Sequence, residues 1–310
     1  MTVRIAHQLG PAEHEWLLSI LPRDVTLTAL PGETPWDVPM GTQILLIGHG
    51  VMPTISQARP SWAEDLSWVH IRPTGIDDAP DWLLKVPHVT LSRGASAGGI
   101  AEYVLSAMLD FARPLTPVRN PSAWVNPPHV GLEGKTLGLV GYGAIGQAIR
   151  ARAVPFGMTV CATSRSMTPT DDGTELVTLP DLCAKSDHLV LCAPLTPSTR
   201  DLFNDVTFAH CREGQHLINV ARGGLIVPDA LRAALDGPIA RATLDVWTEE
   251  PPAEGHWIYH HPKVHLTPHC SFQSQSMQAH HRETLRRNLG VWLAERPEAL
   301  FGRVQVAQGY

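Results

Sequence analysis

The sequence predicts an α/β protein with two doubly wound parallel-sheet domains. Three observations carry that expectation. Short apolar runs alternate with helix-like stretches through most of the chain. A glycine-rich turn, Gly141-x-Gly143-x-x-Gly146, falls between an apolar run and a helical stretch. At 310 residues the chain is too long for one small domain and suits two, or one large α/β unit.

In the first hundred residues the strand candidates are 3–8, 43–47, 69–72 and 89–92, with helix-like segments such as 12–20 and 79–85 between them. Repeats of this kind belong to a parallel sheet covered on both faces. The stretch 99–113 reads as a long helix. Ile100, Val104, Leu105, Met108, Leu109 and Ala112 recur at helical spacing, and Pro114 stops it. Residues 114–130, rich in Pro and Asn, form a connecting loop. A second series follows, with strand candidates 136–140, 158–162, 188–192, 216–220, 242–246 and 263–266. Six strands at that period describe a dinucleotide-binding sheet. After Pro268 the chain turns helical over 277–296, with Leu285, Leu289, Val291 and Leu293 and a basic face, and 301–310 reads as irregular. The boundary between the two units falls near the 99–113 helix.

Composition excludes several classes. Hydrophobic residues are 44% and charged residues 17%, which supports a packed core and argues against extended disorder. The net charge is −6 with no basic tail or stripe, so no nucleic-acid partner is expected. Apolar runs such as 44–47 and 189–191 are far too short to span a bilayer, and the first residues lack a secretory apolar stretch. The five cysteines form no CxxC pair and read as reduced small hydrophobes of a cytoplasmic protein. His256, His260, His261, His265 and His269 lie close together. Pro262 and Pro268 interrupt them and no Cys or carboxylate set completes a site, so no metal is expected. The doublet His280-His281 lies on the basic helix and reads as solvated.

Each glycine of the turn has a task. Gly141 permits a tight turn, Gly143 lets the backbone approach a pyrophosphate, and Gly146 lets helix and strand pack closely. The amides of Ala144 and Ile145 would then face the phosphates at a helix N-terminus. NAD binders place an acid about 20 residues further on to hold the ribose hydroxyls. None occurs between Gln147 and Thr170; Ser164-Arg165-Ser166 stands there instead. A carboxylate would repel a 2′-phosphate, whereas Arg165 with two hydroxyls would bind it. This argues for NADP(H) over NAD(H). A solvated surface arginine would explain Arg165 but not the missing acid.

Three more segments follow strand candidates, where an open α/β sheet places its ligands. They are Asn219-Val-Ala-Arg222-Gly-Gly, Asp245-Val-Trp-Thr-Glu-Glu250-Pro-Pro and Leu266-Thr-Pro-His269-Cys-Ser. Together they supply a fixed cation, carboxylates and an imidazole. With the glycine turn and Pro194-Leu-Thr-Pro-Ser-Thr199, in this order and spacing, they resemble the D-isomer-specific 2-hydroxyacid dehydrogenases, of the glyoxylate/hydroxypyruvate reductase type. The resemblance covers nearly the whole length and is densest from 131 to 271.

The resemblance implies a Rossmann cofactor domain, 98–272, and a flavodoxin-like substrate domain, 1–97 completed by 273–310, with a cleft between them and hinges in the crossing helices. It maps the family's catalytic Arg, Glu and His onto Arg222, Glu250 and His269. Arg222 would grip a 2-oxo acid and polarise its carbonyl as hydride arrives. His269 would donate the proton, since an imidazole titrates near neutrality, and Glu250 would favour imidazolium and hold the ring. Glu249 and Glu250 are adjacent, and only the family's Glu before Pro selects Glu250. Asp245 is implied to accept a hydrogen bond from the nicotinamide carboxamide; a helix cap or satisfied buried acid is the other reading. Ala193, Pro194, Val220 and Ala221 should line the same site. Thr74, Gly75 and Ile76, in a loop that looks shortened, are the candidates for holding the substrate carboxylate. Trp124 would reach a neighbouring subunit's site or serve as a structural Trp. A homodimer formed through the cofactor domain is implied. Alternatives within the family are an NAD-linked enzyme for 3-phosphoglycerate or phosphite. A dinucleotide-sensing corepressor-like protein is the alternative of another class.

Overall fold

The computed structural model describes residues 3–72, 75–115 and 129–305, with Pro53 described by its backbone alone. Its chain divides into two compact units, 1–95 with 278–310, and 96–277. Among the described residues each unit is built on one parallel sheet. No helix there is long and apolar enough to cross a membrane.

The first unit runs β1 (Arg4–His7), α1 (Pro11–Ile20), β2 (Thr26–Ala29), β3 (Ile44–Ile47), β4 (Trp68–Ile71), α2 (Asp81–Leu84) and β5 (His88–Leu91), in the sheet order β2-β1-β3-β4-β5. That is the flavodoxin-like order. Four consecutive apolar residues in β3 are all buried, because the sheet is covered on both faces. Ile44 and Leu46 pack with Ile5, Leu17, Trp68, Leu285 and Leu289. Leu45 and Ile47 face the opposite way, with Val69, Ile71, Trp82 and Leu83. Strand β2 escaped the sequence reading. It lies at the sheet edge, mixes Thr with Leu and Ala, and is only partly buried.

The last helix, α8 (Gln275–Leu293), corrects one expectation. His281 is not solvated but buried at 5% exposure, while His280 is exposed. The reason is helical phase: His281, Leu285, Asn288 and Leu289 share one face and pack inward.

The second unit runs α3 (Ala97–Ala112), β6 (Thr136–Val140), α4 (Ala144–Ala153), β7 (Thr159–Thr163), β8 (Glu175–Leu176), α5 (Leu179–Lys185), β9 (His188–Leu191), α6 (Asp205–Phe208), β10 (Gln215–Asn219), α7 (Pro228–Asp236), β11 (Ile239–Leu244) and β12 (Val264–Leu266). The sheet order is β12-β11-β10-β9-β6-β7-β8. The sequence predicted six of these strands; the seventh, β8, is a two-residue edge strand too short to leave a periodic signal. The unit's first strand, β6, pairs with both β7 and β9, so the strand order reverses there. In an open α/β sheet this reversal opens a crevice at the carboxyl ends of the strands.

Candidate active site

The loops leaving β6 and β9 meet at that crevice. Gly141 has φ +101, and a Cβ there would lie 2.9 Å from Ala193 Cα. Only glycine accepts both the conformation and the approach. A Cβ on Gly146 would meet the Gly141 carbonyl oxygen at 2.7 Å, so α4 can start close against the strand only with glycine there. At Gly143 a Cβ would meet nothing within 4 Å. The turn therefore faces open space on the side where a ligand would approach. Gly143 caps α4 without a side-chain hydrogen bond. The amides of Ala144 and Ile145 in the first turn have no intrahelical acceptor and are available to an anion. These features fit a dinucleotide pyrophosphate. Ala193, Val220 and Ala221 are buried at the ends of β9 and β10. Pro194 is exposed, and its carbonyl accepts the Thr199 hydroxyl at 2.7 Å, which closes that motif on itself.

Ser164, Arg165 and Ser166 directly follow β7, with Ser164 half-buried and the other two exposed. The sequence reading missed two residues here. Tyr142, inside the glycine turn, donates its hydroxyl to Asp172. Asp172 lies just beyond the window in which an acid was sought, so its spacing gave no signal.

The Asn219-to-Gly224 motif is a built turn. Asn219 accepts the Ala221 amide at 3.0 Å and donates to the Arg222 carbonyl at 2.9 Å. A Cβ on Gly223 would lie 1.9 Å from the Trp247 carbonyl carbon, so only glycine allows this backbone to touch the 247–248 segment. That contact carries Arg222 to the segment bearing Glu250. Oε1 of Glu250 accepts the Trp247 amide at 2.9 Å, and Oε2 lies 2.7 Å from Nδ1 of His269. Glu249 is exposed and takes no part in this pair. Burial alone would raise the Glu250 carboxyl. The hydrogen bonds from His269 and Trp247, with the charges of His269 and Arg222, outweigh it and hold the carboxyl below its ordinary value.

His269 sits at φ +49, a left-handed conformation that a non-glycine residue adopts only when its surroundings fix it. Asp245 supplies the fixing. It is 1% exposed. Its carbonyl accepts the His269 amide at 2.8 Å. Its carboxylate accepts the amides of Cys270 and Ser271, each at 2.9 Å, and the Thr267 hydroxyl at 2.6 Å. With that proton given to Asp245, the Thr267 oxygen accepts from Tyr103 at 2.7 Å. Asp245 is thus a buried acid whose hydrogen bonds shape the His269 turn.

Three of the remaining histidines of the segment have local partners. His256 accepts the Ile258 amide, His261 accepts the Lys263 amide, and His265 lies 3.6 Å from Asp110. In the first unit, Gly75 is half-buried and Ile76 packs into the core at 8% exposure. Ile76 can therefore offer a ligand its backbone but not its side chain. Thr74 and Trp124 lie outside the described residues.

The model of the D-isomer specific 2-hydroxyacid dehydrogenase NAD binding domain matches residues 104–271. The chain belongs to that family. It is 41% identical over 162 residues to D-3-phosphoglycerate dehydrogenase 2, chloroplastic, of Arabidopsis thaliana, covering 50% of this chain and 26% of that one. The chain thus spans about a quarter of that relative's length. It is 35% identical over 211 residues to a hydroxypyruvate reductase of Thermotoga maritima, covering 66% of each. A solved D-isomer specific 2-hydroxyacid dehydrogenase from Xanthobacter autotrophicus Py2, in complex with NADPH and MES, superposes with a TM-score of 0.82 at 25% identity, covering 100% of both chains.

Proposed function

We propose that this chain reduces a small 2-oxo acid, glyoxylate or hydroxypyruvate, to the D-2-hydroxy acid with NADPH. The observation that carries the reading is the 2.7 Å pair of His269 and Glu250, beside Arg222, whose neighbour Gly223 touches the 247–248 backbone. Because Nδ1 of His269 is engaged by Glu250, Nε2 is the nitrogen left to face substrate. Arg222 grips the carboxylate and carbonyl oxygen of the 2-oxo acid through its rigid fork of donors, which orients C2 and polarises the carbonyl. Bound NADPH supplies hydride to C2. Protonated His269 donates to the developing alkoxide, and Glu250 fixes the ring through Nδ1. In the reverse direction His269 acts as base. Asp245, beyond shaping the turn, receives the nicotinamide carboxamide.

NADPH is favoured because no acid stands directly after β7, where Arg165 and two serines stand instead. The next carboxylates along the chain are Asp171 and Asp172, and Asp172 is committed to Tyr142. The NADPH complex of a similar fold and the hydroxypyruvate reductase among the relatives support the same reading.

The test is consumption of reduced nicotinamide, followed by absorbance, with NADPH and NADH side by side. Glyoxylate, hydroxypyruvate, pyruvate and 3-phosphohydroxypyruvate are the acceptors. Faster loss of NADPH with glyoxylate or hydroxypyruvate is expected. Preference for NADH would overturn the cofactor assignment, and preference for the phosphorylated acceptor would overturn the substrate. Binding of both cofactors with no turnover would favour the corepressor-like alternative. Ser164→Asp with Arg165→Ala should shift preference toward NADH. A homodimer is part of the proposal, and light scattering should return twice the 33.8 kDa of the chain.

A further inference from the structure

The loop joining β7 to β8 carries Ser164-Arg165-Ser166 near its start. Its far end is fastened to the glycine turn and to α4. Tyr142 donates its hydroxyl to Oδ2 of Asp172 at 2.5 Å, and the same hydroxyl lies 2.7 Å from Oγ1 of Thr174. The Thr174 amide and hydroxyl donate to Oδ1 of Asp172 at 3.1 and 2.7 Å. Arg150, on α4, donates to the Asp172 carbonyl at 2.8 Å, with its Nε 3.5 Å from Oδ2. The Gly173 amide donates to the Thr170 carbonyl at 3.2 Å and closes the turn. The hydrogen bonds from Tyr142 and Thr174 hold the Asp172 carboxyl well below the usual carboxylate range, so it is ionised at neutral pH.

This arrangement is more than a surface ion pair. The carboxylate is exposed, yet both its oxygens are occupied from three directions: the glycine turn, the helix after it, and its own loop. The tie therefore fixes the distance between the element that would hold the pyrophosphate and the loop that bears Arg165. We propose that Tyr142, Asp172 and Arg150 form a clamp that sets the discrimination between NADPH and NADH, by ordering the 164–174 loop before cofactor arrives. The inference rests on the NADPH reading of the site. A loop ordered in advance loses less entropy on binding. The benefit goes only to contacts that the loop makes, and Ser164-Arg165-Ser166 contacts the 2′-phosphate that NADH lacks. Tyr142, Asp172 and Arg150 are positioning residues in this scheme, acting through Arg165.

The test uses the full chain and two readouts. Calorimetric titration gives the Kd for NADPH and for NADH. Amide hydrogen exchange of the cofactor-free protein reports order across 164–174. Wild type should bind NADPH more tightly. In Asp172→Ala the Kd for NADPH should rise about tenfold and that for NADH less than about twofold, with faster exchange at 170–174. Tyr142→Phe should act in the same direction. Asp172→Asn keeps the oxygen acceptor for the Thr174 amide and turns its NH2 to the Tyr142 hydroxyl, which can accept, and should recover part of the preference. Equal weakening of both cofactors would mean a merely structural role and would overturn the clamp. Selective loss of NADH would overturn it too, since Asp172 would then hold the ribose hydroxyls. Unchanged exchange and affinity would do the same. A wild type without preference for NADPH would sink the cofactor reading itself, and that failure is visible before any variant is made.

Discussion

At the scale of single residues, the site depends on what each side chain is bonded to. His269 owes its position to Asp245, and its ring orientation to Glu250. Replacing His269 by Ala should lower kcat by about a hundredfold to ten-thousandfold while NADPH still binds, measured by steady-state kinetics beside calorimetry. Lost cofactor binding would instead make His269 structural. At Gly223 a Cβ would overlap the Trp247 carbonyl. Gly223→Ala should therefore cost about 1–3 kcal/mol in a urea titration and remove most activity, by pushing Arg222 away from the Glu250 segment. A variant with wild-type stability would contradict the close approach. The residues of the proposed catalytic set stand out in the sequence because their types and order are unusual. The choice of Glu250 over Glu249 was not legible from chemistry, since both are carboxylates on one exposed stretch. The 2.7 Å bond to His269 separates them.

At the scale of elements, the strands were legible where they are buried on both faces, because such strands read as continuous apolar runs. Strands β2 and β8 were not: β2 is a partly buried mix of Thr, Leu and Ala, and β8 is only two residues long, whereas the other edge strands, β5 and β12, were legible. Buried histidines on these elements link fold to pH. Burial lowers His7 on β1 to about 4, with the nearby His14 adding to the effect, and lowers His70 on β4 to about 3 and His188 on β9 to about 4. On α8, His281 falls to about 3, chiefly through burial. Each is neutral in the folded protein below pH 6.5, where the unfolded chain would take up a proton. The unfolded state therefore binds more protons between pH 6.5 and about 4, and stability must fall as pH falls through that window. Each such group contributes a slope of at most about 1.4 kcal/mol per pH unit. Urea midpoints measured at pH 7, 6 and 5 should decline steadily. A flat profile would mean that these rings find partners for their protonated forms.

At the scale of the whole molecule, two units with their own cores share one chain. The residues proposed to hold the dinucleotide lie at carboxyl ends of strands in the second unit. A ligand that binds only the folded form stabilises it by mass action. NADPH at a hundred times its Kd should add about 2.7 kcal/mol and raise the thermal midpoint, with removal by dialysis reversing the gain. An unmoved midpoint in differential scanning calorimetry would count against the glycine turn as a cofactor site.

The sequence by itself determined the α/β class, the parallel strands of both sheets apart from two edge strands, and the positions of the glycine turn, Arg222 and His269. Those features depend on local spacing, and parallel strands all deliver their following loops to one edge of the sheet. Tertiary structure alone decided that Asp172 reaches Tyr142, that His281 turns inward, and that Asp245 fixes a left-handed His269. Each of those depends on the approach of groups far apart along the chain or on the phase of a helix against its neighbours. Strand register and close glycine contacts set such distances, and neither can be read from spacing along the chain.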